Sequence, residues 1–465
     1  MADPETTQLK GRAAGGTEYS WCKAVPGGTG ITALAILLSK APDFSLLQAA
    51  LHKLQNAYPI LRSKLHFDPK TNAFSFFTTQ NPYLQLETFD LSSTFGILQT
   101  LPDPETDSVS PFHRIFEHQL NLNTWHNPDP SSNTETDLFF ASVYTLSNDE
   151  WVVTLRLHTA ACDRTSAVAL LRKLLALMGG GREKELEKET ELSLGIEDMI
   201  PNGKANKPFW ARGVNMLGYS LNSFRLSNLN FIDANSPRSS EVVRLHLPAD
   251  HTALITAACE SREIKLCGAL AAAALIAAHA SNHLPDGRWA KYGVVTLIDC
   301  RSILDPVLPS DHIGFYHSAI LNTHDVNGSE TLWELARRTY GSYANDKNYN
   351  KHFSDMADLN FLMCRAIENP GLTPSGSLRT SLVSVFEDCV MDESNQLYQE
   401  MGVKDYVGCG SAHGVGPSIA LFHTIRDGQL DCACVYPSPL HSREQMLELV
   451  DAMKRVLVDG CATGE

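Results

Sequence analysis

The chain has 465 residues, 43% of them apolar and 20% charged, and a formal net charge of −15. That length exceeds one ordinary core, so two domains are expected, and the composition is that of a globular protein. The acidic balance, with no basic stripe, excludes a general nucleic-acid binder and obliges any anionic ligand to find a local basic patch.

No apolar run reaches the length of a membrane span, and the start, Met1–Thr7, is polar and acidic, unlike a signal peptide. The 11 cysteines are odd in number and scattered, with no CxxC pair. This fits reduced, mostly buried thiols in a cytoplasmic protein. Cys432 and Cys434 alternate onto one strand face, but two thiols alone make no zinc site. The expectation is a monomer with small-molecule substrates and no nucleic-acid, membrane or metal partner.

In chain order, the first thirty residues are Gly-rich and read as irregular. Residues 31–38 read as a buried strand. Residues 44–61 read as an amphipathic helix, with Leu47, Leu51, Leu54 and Tyr58 on one stripe, ended or kinked by Pro59. Residues 64–67 and 74–77 read as a hairpin, followed by a loop-rich span to about Ser110 and a short helix at 112–121. A second hairpin is expected from 138–146 and 151–157. A helix at 165–178 follows, stopped by Gly179–Gly181. The charge run Arg182–Glu191 reads as a solvated helix or linker.

These boundaries divide the chain into a first half (1–181), a crossover (182–240) and a second half (241–465). The second half opens with a strand at 241–247 and helices at 250–259 and 267–283. A strand at 292–298 leads into Asp299-Cys-Arg301, and a helix spans 331–343. Strands follow at 382–386, 418–423 and 430–435, the last two joined by the turn Arg426-Asp-Gly428, and a helix at 442–458 closes the chain. The order of elements is similar in both halves without a residue-level repeat.

The densest chemistry lies between the strand at 151–157 and the following helix, in His158-Thr159-Ala-Ala-Cys-Asp163-Arg164. A histidine and an aspartate at such a turn suggest a base and a group that holds the turn rigid. This element resembles the active-site loop of the coenzyme A-dependent acyltransferase superfamily, which includes BAHD acyltransferases and peptide-synthetase condensation domains. Tyr58-Pro-Ile-Leu-Arg62, Asp299-Cys-Arg301 with the downstream Ile313-Gly314-Phe315, and Asp405-Tyr-Val-Gly408-Cys are similar to further segments of that superfamily.

The resemblance implies an α/β fold of two chloramphenicol-acetyltransferase-like subdomains with mixed sheets meeting at a central channel. It implies acyl transfer from a coenzyme A thioester, a co-substrate rather than a bound cofactor, to the hydroxyl or amine of a small metabolite. It also implies an Asp163–Arg301 ion pair that shapes the loop and holds a geometry more than it adds stability.

The motif departs from the pattern His-x-x-x-Asp-Gly. The position four before Asp163 is Thr159, and the glycine is replaced by Arg164. A threonine hydroxyl is no general base near neutrality. Neighbours on a strand point to opposite faces, so His158 needs a local bulge to enter the channel.

Three readings stay open. His158 is the base and Thr159 supports an oxyanion or the acceptor. Alternatively, His158 is structural and another base, His413 or His317, serves a transferase, lyase, cyclase or condensing reaction. In the third reading the chain is a non-catalytic binder. Arg164 supplies positive charge for a carboxylate or a phosphate, or is a surface residue.

Overall fold

The computed structural model describes residues 10–102, 109–126, 134–179, 192–207, 226–282, 287–392 and 395–462. Met1–Thr7, Gly180–Glu191, His283 and the middle of the expected crossover lie outside the described residues. The strands of the first half are β1 (Lys10–Ala13), β2 (Thr29–Leu38), β3 (Ser63–Asp68), β4 (Ala73–Thr78), β5 (Leu86–Phe89), β6 (Thr134–Asp137), β7 (Phe139–Ser147) and β8 (Glu150–His158). Those of the second are β9 (Ser239–Leu247), β10 (Ala290–Asp299), β11 (His317–Val326), β12 (Arg379–Phe386), β13 (Val390–Asp392), β14 (Val403–Ala412), β15 (Gly416–Arg426) and β16 (Gln429–Ser438).

Three sheets result. One has the order β1-β4-β3-β6, one β14-β2-β8-β7-β5, and one β11-β10-β12-β15-β16-β9 with β13 beside β15. This is the expected α/β architecture of two mixed-sheet halves. The hairpins β3–β4, β7–β8 and β15–β16 follow the sequence signals. The last turns through Asp427 (φ 55°) and Gly428 (φ 72°), the pair of left-handed residues that a tight hairpin requires.

Several expectations need correction. Residues 10–30 are not irregular. They hold β1 and the helix Gly16–Ala24, fastened by a 2.6 Å Arg12–Glu18 ion pair and by the Gly15 N–H donating to Glu18 at 2.7 Å. The span before Ser110 holds β5 and the helix Leu91–Thr100, capped by Asp90 accepting from the Ser93 N–H at 2.8 Å. The helix Phe44–Ala57 stops at Tyr58, which the following proline pushes into extended space (φ −121°, ψ 101°), and Pro59–Arg62 forms a 3₁₀ turn.

The division into halves is also less clean than the chain order implies. β14 belongs to the second half, yet it pairs antiparallel with β2 of the first, from Val403 opposite Leu38 to Ala412 opposite Thr29. Gly408 permits the close approach, since a Cβ there would stand 2.3 Å from Leu34 Cδ2.

Each half has its own apolar cluster, and a third lies between them. This third cluster joins Ala33 and Val152 of the first half to Val407, Cys409 and Val435 of the second, around Phe112, Ile115 and Phe116 of the helix Pro111–Asn121. The polar edge of that helix completes the joint. Asn121 bonds the Ser240 backbone in both directions (2.9 and 2.7 Å), and Glu117 pairs with Arg443 at 2.7 Å.

Among the described residues no single helix is long and apolar enough to cross a membrane, and no group of three or more His, Cys, Asp or Glu is placed to hold a metal. The Cys432 and Cys434 thiols lie 3.9 Å apart and unbonded in the core.

Because a strand and a core cluster span the junction, the halves are expected to unfold together. Phe116→Ala, at a fully buried site, should cost about 3–5 kcal/mol. Its urea transitions by tryptophan fluorescence and far-UV circular dichroism should still coincide; two separated transitions would contradict the shared core.

Candidate functional site

β8 runs in unbroken register against β2, with His158 opposite Ile31. No bulge intervenes, so strand alternation sends His158 and Thr159 to opposite sides. The His158 ring is fully buried, edge-on to Trp125 with ring centres 5.2 Å apart. Its Nδ1 accepts from the Ala160 N–H at 3.1 Å, and its Nε2 is buried without a hydrogen-bond partner among the described residues. Burial pushes this imidazole down to about 3. The expectation that His158 enters the channel is therefore corrected: the ring is neutral and packed on the far side of the strand. Thr159 takes the cavity side, its hydroxyl 2.9 Å from that of Thr32.

A short 3₁₀ turn, Thr159–Ala161, leads to Asp163, which caps the helix Arg164–Met178 by accepting from the Ser166 N–H at 2.8 Å. The same carboxylate accepts from Arg301 Nη2 at 3.0 Å and from the Tyr316 N–H at 2.8 Å. Arg301 also holds Asp299 at 3.0 Å, and Ser166 donates to the Gly314 carbonyl at 2.8 Å. Burial alone would raise the Asp163 carboxyl. The Arg301 charge and its hydrogen bonds, with His317 beside the carboxylate, outweigh it and hold the group well below the usual carboxylate range.

His317 begins β11, directly after that loop. Its Nδ1 lies 2.9 Å from Asp163 Oδ2, an ion-pair contact rather than an aligned hydrogen bond. Its ring lines a cavity of about 160 Å³ between the halves. The cavity walls come from β2, the start of the helix Arg164–Met178, β12, β14 and β15. They are mostly apolar and aromatic, with Trp21, Phe315, Phe386 and Phe422 prominent. Gly30 (φ 92°) lets β2 pass close to this wall; a Cβ there would be 2.9 Å from Trp21 and 3.2 Å from Thr159. A second cavity of about 430 Å³ adjoins the first, and His317, Arg164 and Phe386 line both.

His413 is not in the cavity wall. It is bonded to the Ser240 hydroxyl at 3.0 Å through Nδ1, and burial with Arg379 and Arg238 pushes it down to about 4. Arg164, in the glycine's place, does not reach the surface as a free side chain. It lies over Phe386 and donates to the carbonyls of His423 and Asp388.

Sequence reading missed the cluster on the opposite wall, where the Asp392 carboxylate accepts from the hydroxyls of Tyr398 (2.8 Å) and Tyr406. Nor did it single out Phe386 and Phe422. The parallel pairing of β12 with β15 brings those rings together, tilted and 5.1 Å apart, and no single strand signals that register.

No family model and no curated protein matches this sequence. Solved structures do match its shape over nearly the whole chain. A trichothecene 15-O-acetyltransferase from Fusarium sporotrichioides superposes with a TM-score of 0.71 at 12% identity, covering 99% of this chain and 97% of its own. The epimerization domain of tyrocidine synthetase B, third module, gives 0.60 at 12% identity, covering 99% of each chain. The X-domain from teicoplanin biosynthesis gives 0.58 at 17% identity, covering 99% and 96%. The chain has the condensation-domain fold. These likenesses fix the acyltransferase-like scaffold, and the chemistry rests on this chain's own residues.

Two acid-linked losses of stability are expected in different windows. His158 (about 3) and His324, His413 and His441 (about 4) are all depressed by burial first. Each is neutral when folded and gains a proton on unfolding below about pH 6.5, so stability falls as pH drops from there towards 4. The depressed Asp163 contributes stability above about pH 4 that is lost only at lower pH. Urea unfolding at pH 7 and pH 5 should show uptake of two or more protons, by order of magnitude, on unfolding; a pH-independent midpoint would contradict the buried neutral rings. Asp163→Asn, which leaves the buried Arg301 with Asp299 as its remaining carboxylate, should cost about 3–5 kcal/mol at neutral pH.

Proposed function

We propose that the chain is an acyltransferase that moves an acyl group from a coenzyme A thioester to the hydroxyl or amine of a small, largely apolar metabolite. In this reading His317, not His158, is the base. The observation that carries it is the imidazole on the wall common to two cavities, with a carboxylate oxygen 2.9 Å from its Nδ1. A carboxylate there keeps the proton on Nδ1 and leaves the Nε2 lone pair for chemistry.

Acceptor and donor would meet at that wall. Nε2 takes the acceptor's proton as its oxygen or nitrogen attacks the thioester carbonyl. The tetrahedral intermediate collapses, the C–S bond breaks, and the proton passes to the leaving sulfur to give free coenzyme A. The Thr159 hydroxyl is the cavity-side donor available to the oxyanion. Arg172 and Lys173, beside Arg164 on the second cavity, are cations available to the coenzyme's phosphates, although Lys173 also holds Asp311 at 2.5 Å and Arg172 lies 3.9 Å from Asp392. An apolar, aromatic lining suits an acceptor with a ring system, in keeping with the trichothecene named for the similarly folded acetyltransferase.

A second reading, a small-molecule binder, draws on one observation: the histidine of the motif is buried and neutral, and its neighbour is a threonine. Release of free thiol from acetyl-coenzyme A with a pool of aromatic alcohols and amines separates the two. Turnover is expected, falling about 10²–10⁴-fold in His317→Gln. His158→Asn keeps an acceptor for the Ala160 N–H and should retain turnover within about threefold, at lower stability. Unchanged turnover in His317→Gln would remove it as the base, and no thiol release with any acceptor would favour the binder.

A further inference from the structure

The residue in the motif's glycine position is a cation that, among the described residues, makes no direct ion pair, Asp388 acting on it only at longer range. The half-buried Arg164 guanidinium lies 4.4 Å above the Phe386 ring, on the wall shared by both cavities. Two of its five N–H groups are used, both on backbone carbonyls, of His423 and Asp388. Among the described residues it has no carboxylate partner.

The carboxylates that line these cavities are already engaged. Asp163 holds Arg301, Asp392 accepts from two tyrosines, Asp299 is bound to Arg301, and Asp311 to Lys173. Asp388, whose backbone Arg164 touches, gives its side chain to Lys265 at 2.7 Å. Burial lowers the guanidinium to about 10, so it remains charged at neutral pH. A half-buried charge on the cavity wall, bonded only to backbone carbonyls, is compensated best by an anion that brings its own charge.

We propose that Arg164 binds the carboxylate of the ligand, so that the cavity selects an aromatic or otherwise apolar carboxylic acid over its neutral analogue. Guanidinium and carboxylate match as a planar fork, and the apolar walls take the rest of the molecule. The proposal rests on this cavity being the ligand site and not on acyl transfer following there. Under the acyltransferase reading it makes the acceptor a hydroxy or amino acid whose nucleophile is presented to His317.

The test uses the full chain and matched pairs that differ only in charge: benzoate with benzamide and cinnamate with cinnamamide, titrated calorimetrically and by the fluorescence of Trp21. At least one acid should bind about tenfold or more tightly than its amide. Arg164→Met, which keeps the stem over Phe386, should reduce that ratio to about one. Arg164→Lys, which keeps charge without the fork, should retain part of it.

Equal binding of acid and amide by the wild-type chain would overturn the proposal, as would a preference that survives in Arg164→Met or a failure of all four compounds to bind. Thiol release with neutral acceptors alone would leave the acyltransferase standing and Arg164 without this role.

Discussion

The site depends on one carboxylate with more partners than a free aspartate would hold. Asp163 caps the helix that follows it, anchors Arg301, accepts from the Tyr316 backbone and faces His317. The first of these contacts is local to the first half, and the others come from the second. A single buried charge thus ties the strand-to-helix turn of one half to the loop and strand start of the other, at the cavity between them. A pair this enclosed pays little in net stability, but it is costly to break, so it specifies a geometry. That geometry places an imidazole on the cavity wall from a part of the chain about 150 residues beyond the motif.

Strand alternation sets the other constraint. Adjacent residues on β8 face opposite ways, and its regular pairing with β2 offers no bulge to reverse them. The imidazole of the motif therefore joins the packing around Trp125, and the hydroxyl of Thr159 joins the cavity. The glycine position is altered too, and its replacement fills the wall between the two cavities. The scaffold is kept while the chemical groups around Asp163 are redistributed, with His317 and Arg164 on the wall shared by the two cavities.

Much of the fold was legible because its elements carry strong local signals. The β-branched run at 151–157, the alanine-rich helix Leu266–Ser281 and the Asp427-Gly428 turn can each be read from a short window. β14 escaped such a reading because Gly408 and Gly410 weaken its strand character; its place is fixed by antiparallel pairing with β2, far away in the chain. The Asp163–Arg301 contact was implied by family resemblance, but the side on which His158 lies follows from strand register. His317 drew only a weak signal, since nothing in Gly314-Phe-Tyr-His317 announces a carboxylate partner 154 residues earlier. Cavity walls assembled from four or five strands have no local signature at all.

The central claim is that the imidazole free to accept a proton in the cavity belongs to His317. The tautomers of the two histidines test it most directly. An Nδ1 that accepts a backbone N–H, as in His158, puts the proton on Nε2; an Nδ1 set against a carboxylate, as in His317, carries the proton itself. Nitrogen-15 NMR of the histidine-labelled protein at alkaline pH, with each ring assigned by substitution, should show opposite tautomers, His158 protonated on Nε2 and His317 on Nδ1. Finding His317 protonated on Nε2, with its lone pair turned to Asp163, would contradict the account.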